Sequence, residues 1–388
     1  MVQLSNFQKY LFVVTRVLLG GLFVFSGFIK LNDPWGTAYK MEEYFEVFAE
    51  HWGGFIHLVP FSLGISVAMC AAEVILGIAI LVQYRMKITL WSVLLLLVFF
   101  TFLTFYTAYF NKVTNCGCFG DFLKLKPWTS FYKDVVLLVL TFILFFNVNK
   151  LPDTFSFKIG DTLIGATTVA SLVFAYYVLA HLPLFDFSNY KAGNHLPTLK
   201  KAPDIKLQFI YVMKDKTGKE ADFATYPTDT TLEYVRVKYS YELEGKKYFA
   251  DSLDKELTAA KIADFEALDP ISNQTVTEQL FVGNKLIVII PFADKANLES
   301  FKKIVELSKV VKTKNIDLIV LTSSDLATYQ HFQKEVGLQS TFFLADATVL
   351  KTISRSNPGL LFLSEGTVKG KWHYNDVPTL DQVLATLK

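Results

Sequence analysis

Cys116 and Cys118, separated only by Gly117, are the side chains in this sequence best suited to chemistry. A thiolate attacks disulfides and takes up oxidants, and two thiols in reach of each other store an electron pair as a disulfide. A bridge across one intervening residue closes a tight ring, whose strain makes it easy to reduce. Gly117 supplies the backbone freedom that such a ring demands. The bland alternative, two small apolar residues packed in a turn, stays open at this point. Zinc is the weaker reading, because no histidine stands at ligand spacing.

The remaining cysteine, Cys70, precedes Glu73 by three residues, so in a helix the two share a face. Both fall inside an apolar run. A carboxylate at that depth is costly enough to mark an ion pair or a proton or ligand site. Arg16, in the preceding run, is its expected partner, and the purely structural version is an Arg16–Glu73 pair that locks two helices. Cys70 reads either as a packing residue or, where the Cys116 loop folds inward, as the thiol that resolves a disulfide with Cys116 or Cys118. A quinone is a conceivable electron partner, its flat ring set beside Glu73. Transport is the thinnest reading, since one intramembrane ion pair makes a poor pathway.

The elements that must hold these residues divide the chain in two. Its 388 residues are 52% hydrophobic, with 36 Phe, and only 19% charged. Before about residue 185 charges are sparse; beyond it Lys, Asp and Glu return at ordinary globular density. A bilayer core needs roughly 20 apolar residues per helix. Five runs qualify: Tyr10–Ile29, Phe61–Tyr84, Ile88–Phe110, Phe131–Phe146 and Thr162–Leu184. The first is long and lacks a small-residue cleavage site, so it is expected to remain as a span. The cysteine loop then joins spans three and four. Trp128, Phe131 and Tyr132 suit a membrane interface, with Lys133 and Asp134 close enough to snorkel back to water. Met41, Tyr44, Phe45, Phe48 and Trp52 repeat at helical spacing opposite Glu42, Glu43, Glu46 and Glu50. That pattern is an amphipathic helix lying on the bilayer or capping the bundle.

The Arg85-Met86-Lys87 turn, with Lys150 and Lys158, points those loops and the N-terminus to the cytoplasm and the cysteine loop outward. Lys112, Lys124 and Lys126 weigh against that orientation. An odd number of spans carries the C-terminal region outside as well. A net charge of +2 and the lack of a basic stripe argue against a nucleic-acid partner. Three cysteines, none beyond residue 118, cannot build a disulfide framework.

Residues 186–206 read as a linker, with Gly193, Pro197 and Pro203. Leu207–Met213 and Glu233–Tyr239 alternate as strands of a small β-rich module that runs to about 283, with Leu257–Leu268 expected as a helix. From residue 284 the expected order is strand Lys285–Ile290, helix Leu298–Val311, strand Ile316–Leu321 and helix Asp325–Val336. Strands Gly359–Leu363 and Thr367–His373 and helix Thr379–Leu387 follow. This βαβα, then ββα, is the order of a thioredoxin fold. Its redox pair would stand at Asp294-Lys295-Ala296-Asn297, where there is no cysteine, so this region is expected to bind a partner rather than shuttle electrons. Asp294 is the expected helix N-cap. Pro358, before a buried strand, stands where thioredoxins carry their cis-proline.

Several short motifs now agree in order. Arg16–Lys30 with Asp33-Pro34, then Glu73 and Gly77, resembles the opening of DoxX-family membrane proteins. Cys116-Gly-Cys-Phe-Gly120, Trp128 and Tyr132-Lys-Asp134 resemble the related MauE branch. Arg355–Leu363 and Gly366–Trp372 extend the likeness to the long DoxX proteins common in Bacteroidota. The resemblance implies a four-helix core in a bacterial inner membrane over about the first 150 residues, with a fifth span over 151–185 leading to a periplasmic region. The residues themselves divide that region into a linker and β-rich module over 186–283 and a thioredoxin-like domain over 284–388. It also implies a place in thiol–disulfide handling of exported proteins or in quinone-coupled sulfur oxidation. Two functions follow as expectations: a membrane redox component using Cys116, Cys118 and Cys70, or a non-enzymatic scaffold whose outer domain docks a periplasmic or membrane protein.

Overall fold

A computed structural model describes residues 5–113, 119–123, 125–150, 157–203, 205–243, 246–250 and 259–387. Cys116 and Cys118 lie outside the described residues. The chain divides into two compact units: residues 1–188 with 351–359 and 372–377, and the remainder from 189 onward.

The first unit is built of long apolar helices. Among the described residues, five are long and apolar enough to cross a membrane: α1 (Asn6–Asn32), α3 (Ser62–Leu81, preceded by a 3-10 stretch Gly53–Phe61), α4 (Met86–Phe110), α5 (Pro127–Phe145) and α6 (Phe157–Ala180). Each covers most of an expected run; α1, α5 and α6 begin four or five residues earlier, whereas α3 and α6 end short of Tyr84 and Leu184. Ser5 and Gln8 form a capping box that starts α1. Lys126-Pro127 opens α5, where the missing proline N–H costs nothing. Along α4, Leu90, Val93 and Leu97 are buried, whereas Ile88, Trp91, Leu95, Val98 and Phe102 are exposed. Apolar side chains that face outward at helical spacing are what a lipid-facing surface requires, and this unit is an integral membrane domain.

The tightest seam joins α1 to α3. A Cβ on Gly20 would come within 2.9 Å of the Gly77 carbonyl, and one on Gly27 within 2.8 Å of the Val74 amide nitrogen. Residues rising along α1 meet residues falling along α3, so the helices run antiparallel with their backbones almost touching. Without a hydrophobic drive between helices in lipid, such close backbone packing is what holds them. The helix α2 (Pro34–Ala49), N-capped by Asp33, buries Met41, Tyr44, Phe45 and Phe48 against Leu103 and Val113. Tyr44 also meets Thr107 Oγ1 at 2.6 Å. Trp52, expected on that side, is exposed: the helix ends at Ala49, and the phase of the stripe ends with it.

The second unit is mixed α/β with two sheets. Strands β1 (Lys206–Lys214), β2 (Glu220–Phe223), β3 (Glu233–Leu243) and β4 (Lys246–Ala250) form an antiparallel sheet in the order β2-β1-β3-β4. The expected helix over Leu257–Leu268 does not form within its described part. Phe265 closes a tight turn on Ile262, and Leu268 is drawn into an extended bridge by Leu344.

The other sheet has the order β7-β6-β5-β8-β9, from β5 (Asn284–Ile290), β6 (Ile316–Thr322), β7 (Thr341–Leu344), β8 (Gly359–Ser364) and β9 (Thr367–His373). Strands β5, β6 and β7 run parallel in register, with Val288 opposite Val320 and Val320 opposite Phe342. The nearly unbroken burial of β5 and β6 is what parallel strands need. Glu365 and Gly366, both at positive φ, make the two-residue turn between β8 and β9. After α7 (Leu196–Lys200), the helices α8 (Phe301–Val311), α9 (Leu326–Val336), α10 (Ala347–Ile353) and α11 (Leu380–Ala385) complete the order. Strand β7 and helix α10 are additions to the expected pattern. The signal for α10 stood in the sequence as Asp346, whose carboxylate caps the Thr348 and Val349 amides. Asp294 is not the expected N-cap. It lies in a 3-10 turn, and Asn297 caps the next stretch by accepting from the Ser300 amide at 3.0 Å. The Asn357–Pro358 bond is cis.

Candidate functional site

Inside the first unit, α1, α2, α3, α4, α5 and the turn at residue 119 surround a partly open cavity of about 60 Å³. Its apolar wall includes Phe23, Leu97, Phe100, Phe119 and Leu137. Its polar wall is unusual for a membrane helix bundle: Lys30, Thr37, Cys70, Glu73, Thr104, Lys133 and Asp134.

Glu73 is 2% exposed, and its Oε1 takes a salt bridge from the equally buried Lys30 ammonium. This corrects the expected Arg16–Glu73 pair. The antiparallel glycine seam sets the level at which α1 meets Glu73, and that level is the last turn of α1. Arg16 lies fourteen residues earlier, about 21 Å away along the helix at 1.5 Å per residue. Its Nε has no hydrogen-bond partner among the described residues. The Lys30 ammonium also sits 4.7 Å from the centroid of the Phe100 ring, where the ring's negative face supports the charge.

A second pair stands across the cavity. Asp134, 1% exposed, meets the Lys133 ammonium at 2.7 Å through Oδ1 and accepts from Thr104 Oγ1 at 3.0 Å through Oδ2. The expectation that Asp134 snorkels to water is therefore overturned. Pro127 starts α5 early enough to put Asp134 a full turn deeper, facing α4. Lys133 lies 5.3 Å from the centroid of the Phe119 ring. Both acids thus have a cation partner, which is how charges persist in so apolar a surrounding.

Cys70 is 1% exposed and free. Its thiol lies 3.9 Å from Thr37 Oγ1 and 4.0 Å from Ser66 Oγ, contacts typical of a weak sulfur donor. The structure therefore brings Cys70 and Glu73 into one cavity. Phe119, directly after Cys118 in the chain, forms part of the wall and is 7% exposed. This space is smaller than the sealed cavity of roughly 150 Å³ that takes up benzene.

Arg355 builds a neighbouring cluster within the same unit. Its guanidinium donates to both oxygens of Asp33, with Nη2 at 2.8 Å from Oδ2, and to Asp121 Oδ2 at 3.2 Å. Planar two-pronged pairing of this kind is particular to arginine. Asp33 also caps α2 through the Gly36 amide, and a Cβ at Gly36 would come within 2.5 Å of the Asp33 carboxylate. Lys351 adds a 3.5 Å pair with Glu42 and lies 4.5 Å from the centroid of the Tyr39 ring. Burial pushes the Tyr39 phenol above its ordinary range, against the opposing pull of Arg355.

Lys30, Thr104 and Arg355 were not expected from the sequence as partners of buried acids, and Asp134 was read as reaching water. Lys30 and Asp134 stand at the ends of apolar runs, where charges ordinarily reach water. Arg355 is remote in sequence from both of its partners. Asp294 and Asn297 belong to the second unit, and the structure does not bring them into this cavity.

Comparison with known proteins adds to the geometry. The chain is similar to protein TlpB of Flavobacterium psychrophilum, 29% identical over 171 residues. That match spans 43% of this chain and 45% of the relative, less than half the length of each. Residues 8–147, which carry the cavity and its ion pairs, match the family model of methylamine utilisation protein MauE.

Proposed function

We propose that this chain is a membrane component of thiol–disulfide exchange, in which Cys70, Cys116 and Cys118 cycle between thiol and disulfide. The observation that carries this reading is the enclosure of the Cys70 thiol, with Glu73, in a cavity whose wall includes the residue after Cys118. Likeness to MauE over residues 8–147 supports it. In this reading the partner is a disulfide of an exported protein. One thiolate attacks it, a mixed disulfide forms, and a second thiol of this chain resolves it, so that two thiols are oxidised as one disulfide is reduced. Domains at 1–150, 151–185, 186–283 and 284–388, with the last thioredoxin-like and periplasmic and the N-terminus cytoplasmic, belong to the same proposal.

The test is the oxidation state of the three thiols, read by alkylation and mass spectrometry of gently prepared native membranes. A mixture of bonded and free forms that responds to added dithiol supports exchange. Full complementation of a deletion by the Cys116→Ser/Cys118→Ser chain would end the redox reading. A second reading has one observation in its favour: none of the three cysteines falls beyond residue 118, so the α/β unit carries no thiol of its own. There the chain is a scaffold whose function follows the α/β surface. A partner that co-purifies with the full chain, and is lost when 284–388 is deleted, is the outcome that selects it.

A further inference from the structure

We infer that the cavity at Glu73 is an internal water site, where a short chain of water molecules donates to Glu73 Oε2 and accepts from the neighbouring ammonium groups. Three observations converge on it. The first is an unmatched acceptor. Glu73 lines the cavity and is 2% exposed, and its Oε1 is paired, yet Oε2 has no hydrogen-bond partner among the described residues. Leaving a buried carboxylate oxygen bare is costly, so a donor belongs there. Asp134 supplies the contrast in the same cavity, because Lys133 and Thr104 between them occupy both of its oxygens.

The second observation is size. One water needs roughly 10–15 Å³ of water-accessible space, so a space of about 60 Å³ has room for a short chain of molecules. The third is chemistry. A buried water needs about two to four polar partners, and cavities that stay dry are lined by apolar groups alone. Here Ser26, Thr37, Cys70 and Thr104 stand with the two ion pairs along one lining. An ammonium group carries three donors, of which the salt bridge engages one at Lys30, leaving others to donate to water oxygen. Water so placed also gives a proton released at Cys70 a route to Glu73 within the bundle; this last consequence, unlike the water site itself, rests on the thiol reading above.

Hydroxyl-radical footprinting by X-ray radiolysis tests the site, because bound water generates radicals in place and marks buried neighbours that bulk solvent does not reach. Met41 lines the cavity and is 5% exposed, whereas Met86 and Met213 are 3% and 2% exposed and do not line it. With the full chain in lipid nanodiscs, Met41 is expected to oxidise several times faster than either control. The Glu73→Gln chain, which removes the charged acceptor, is expected to slow Met41 toward Met86. Equal slow rates at Met41, Met86 and Met213 in the unaltered chain would overturn the water site. A Met41 rate unchanged in a folded Glu73→Gln chain would overturn the role of Glu73 in holding it. The wild-type comparison stands on its own where the variant does not fold, and neither readout depends on any disulfide chemistry.

Discussion

At the scale of single residues, the cavity is an arrangement in which each charge depends on one partner. Lys30 and Glu73 are both buried, so removing either leaves the other uncompensated. Breaking a buried pair costs about 3–5 kcal/mol, whereas replacing both members by apolar residues of similar volume is close to neutral. Lys30→Met is therefore expected to lower the apparent Tm markedly in detergent, and Lys30→Met/Glu73→Leu to recover most of the loss. A double variant no more stable than the single one would show that Lys30 is not the partner on which Glu73 depends. Asp134→Asn is expected to be milder, because Thr104 can still donate to the amide oxygen. The sequence made Glu73 visible, since a lone acid in an apolar run stands out. It did not disclose which cation answers Glu73. Hydropathy is one-dimensional, and Lys30 at the end of a run reads the same whether it faces lipid headgroups or a buried acid.

At the scale of elements, the α1–α3 seam decides which residues meet. Gly77→Val would drive a branched side chain into the Val24 amide, 2.7 Å from the position of its Cβ. Backbone cannot yield as a flexible side chain does, so this chain is expected to lose its monodisperse peak on size-exclusion chromatography. Gly21→Ala, with nothing within 4 Å, is the matched control and is expected to behave as wild type. The Arg355 cluster acts on the same framework from another side, because Asp33 caps α2 while Asp121 lies in the turn that follows Phe119. Arg355→Lys keeps the charge and forfeits the two-pronged grip. In a Cys116→Ser/Cys118→Ser background, where Cys70 is the remaining thiol, N-ethylmaleimide is expected to reach Cys70 several times faster in Arg355→Lys. An unchanged rate would mean that this cluster does not hold the cavity wall. The existence of the spans was legible from length and composition. This cluster was not, because nothing local ties residue 355 to residues 33 and 121.

At the scale of the whole molecule, two kinds of surface share one chain: a helical unit with apolar groups turned outward, and an α/β unit with the parallel strands β5 and β6 buried within its sheet. The central strands were readable because buried parallel strands are continuous apolar runs, as in Leu286–Ile290 and Leu318–Leu321. The edge strand β7 was missed because a four-residue Thr-Phe-Phe-Leu segment is too short for any periodicity to show. Acid stability also belongs to this scale. His373 is 2% exposed, and burial, reinforced by the nearby His181 and opposed by Asp376, lowers its pKa to about 4. A histidine whose folded pKa lies below its unfolded value near 6.5 stabilises the fold fully above that value. Stability is lost as pH falls from about 6.5 toward 4, because the unfolded chain takes up the proton first. The apparent Tm is expected to drop across that window, and His373→Gln to flatten the drop. Parallel curves for the two chains would assign the acid sensitivity elsewhere.

The glycine contacts between α1 and α3 also mean that rotational phase, as much as apolar length, specifies this protein. One alanine inserted between Gly20 and Gly27 would leave a stretch that any hydropathy scale still scores as a span. It would turn everything beyond it by about 100° and carry Lys30 off the side that Glu73 occupies. Two chains equally fit for a bilayer would then differ in whether a charge at its core has company.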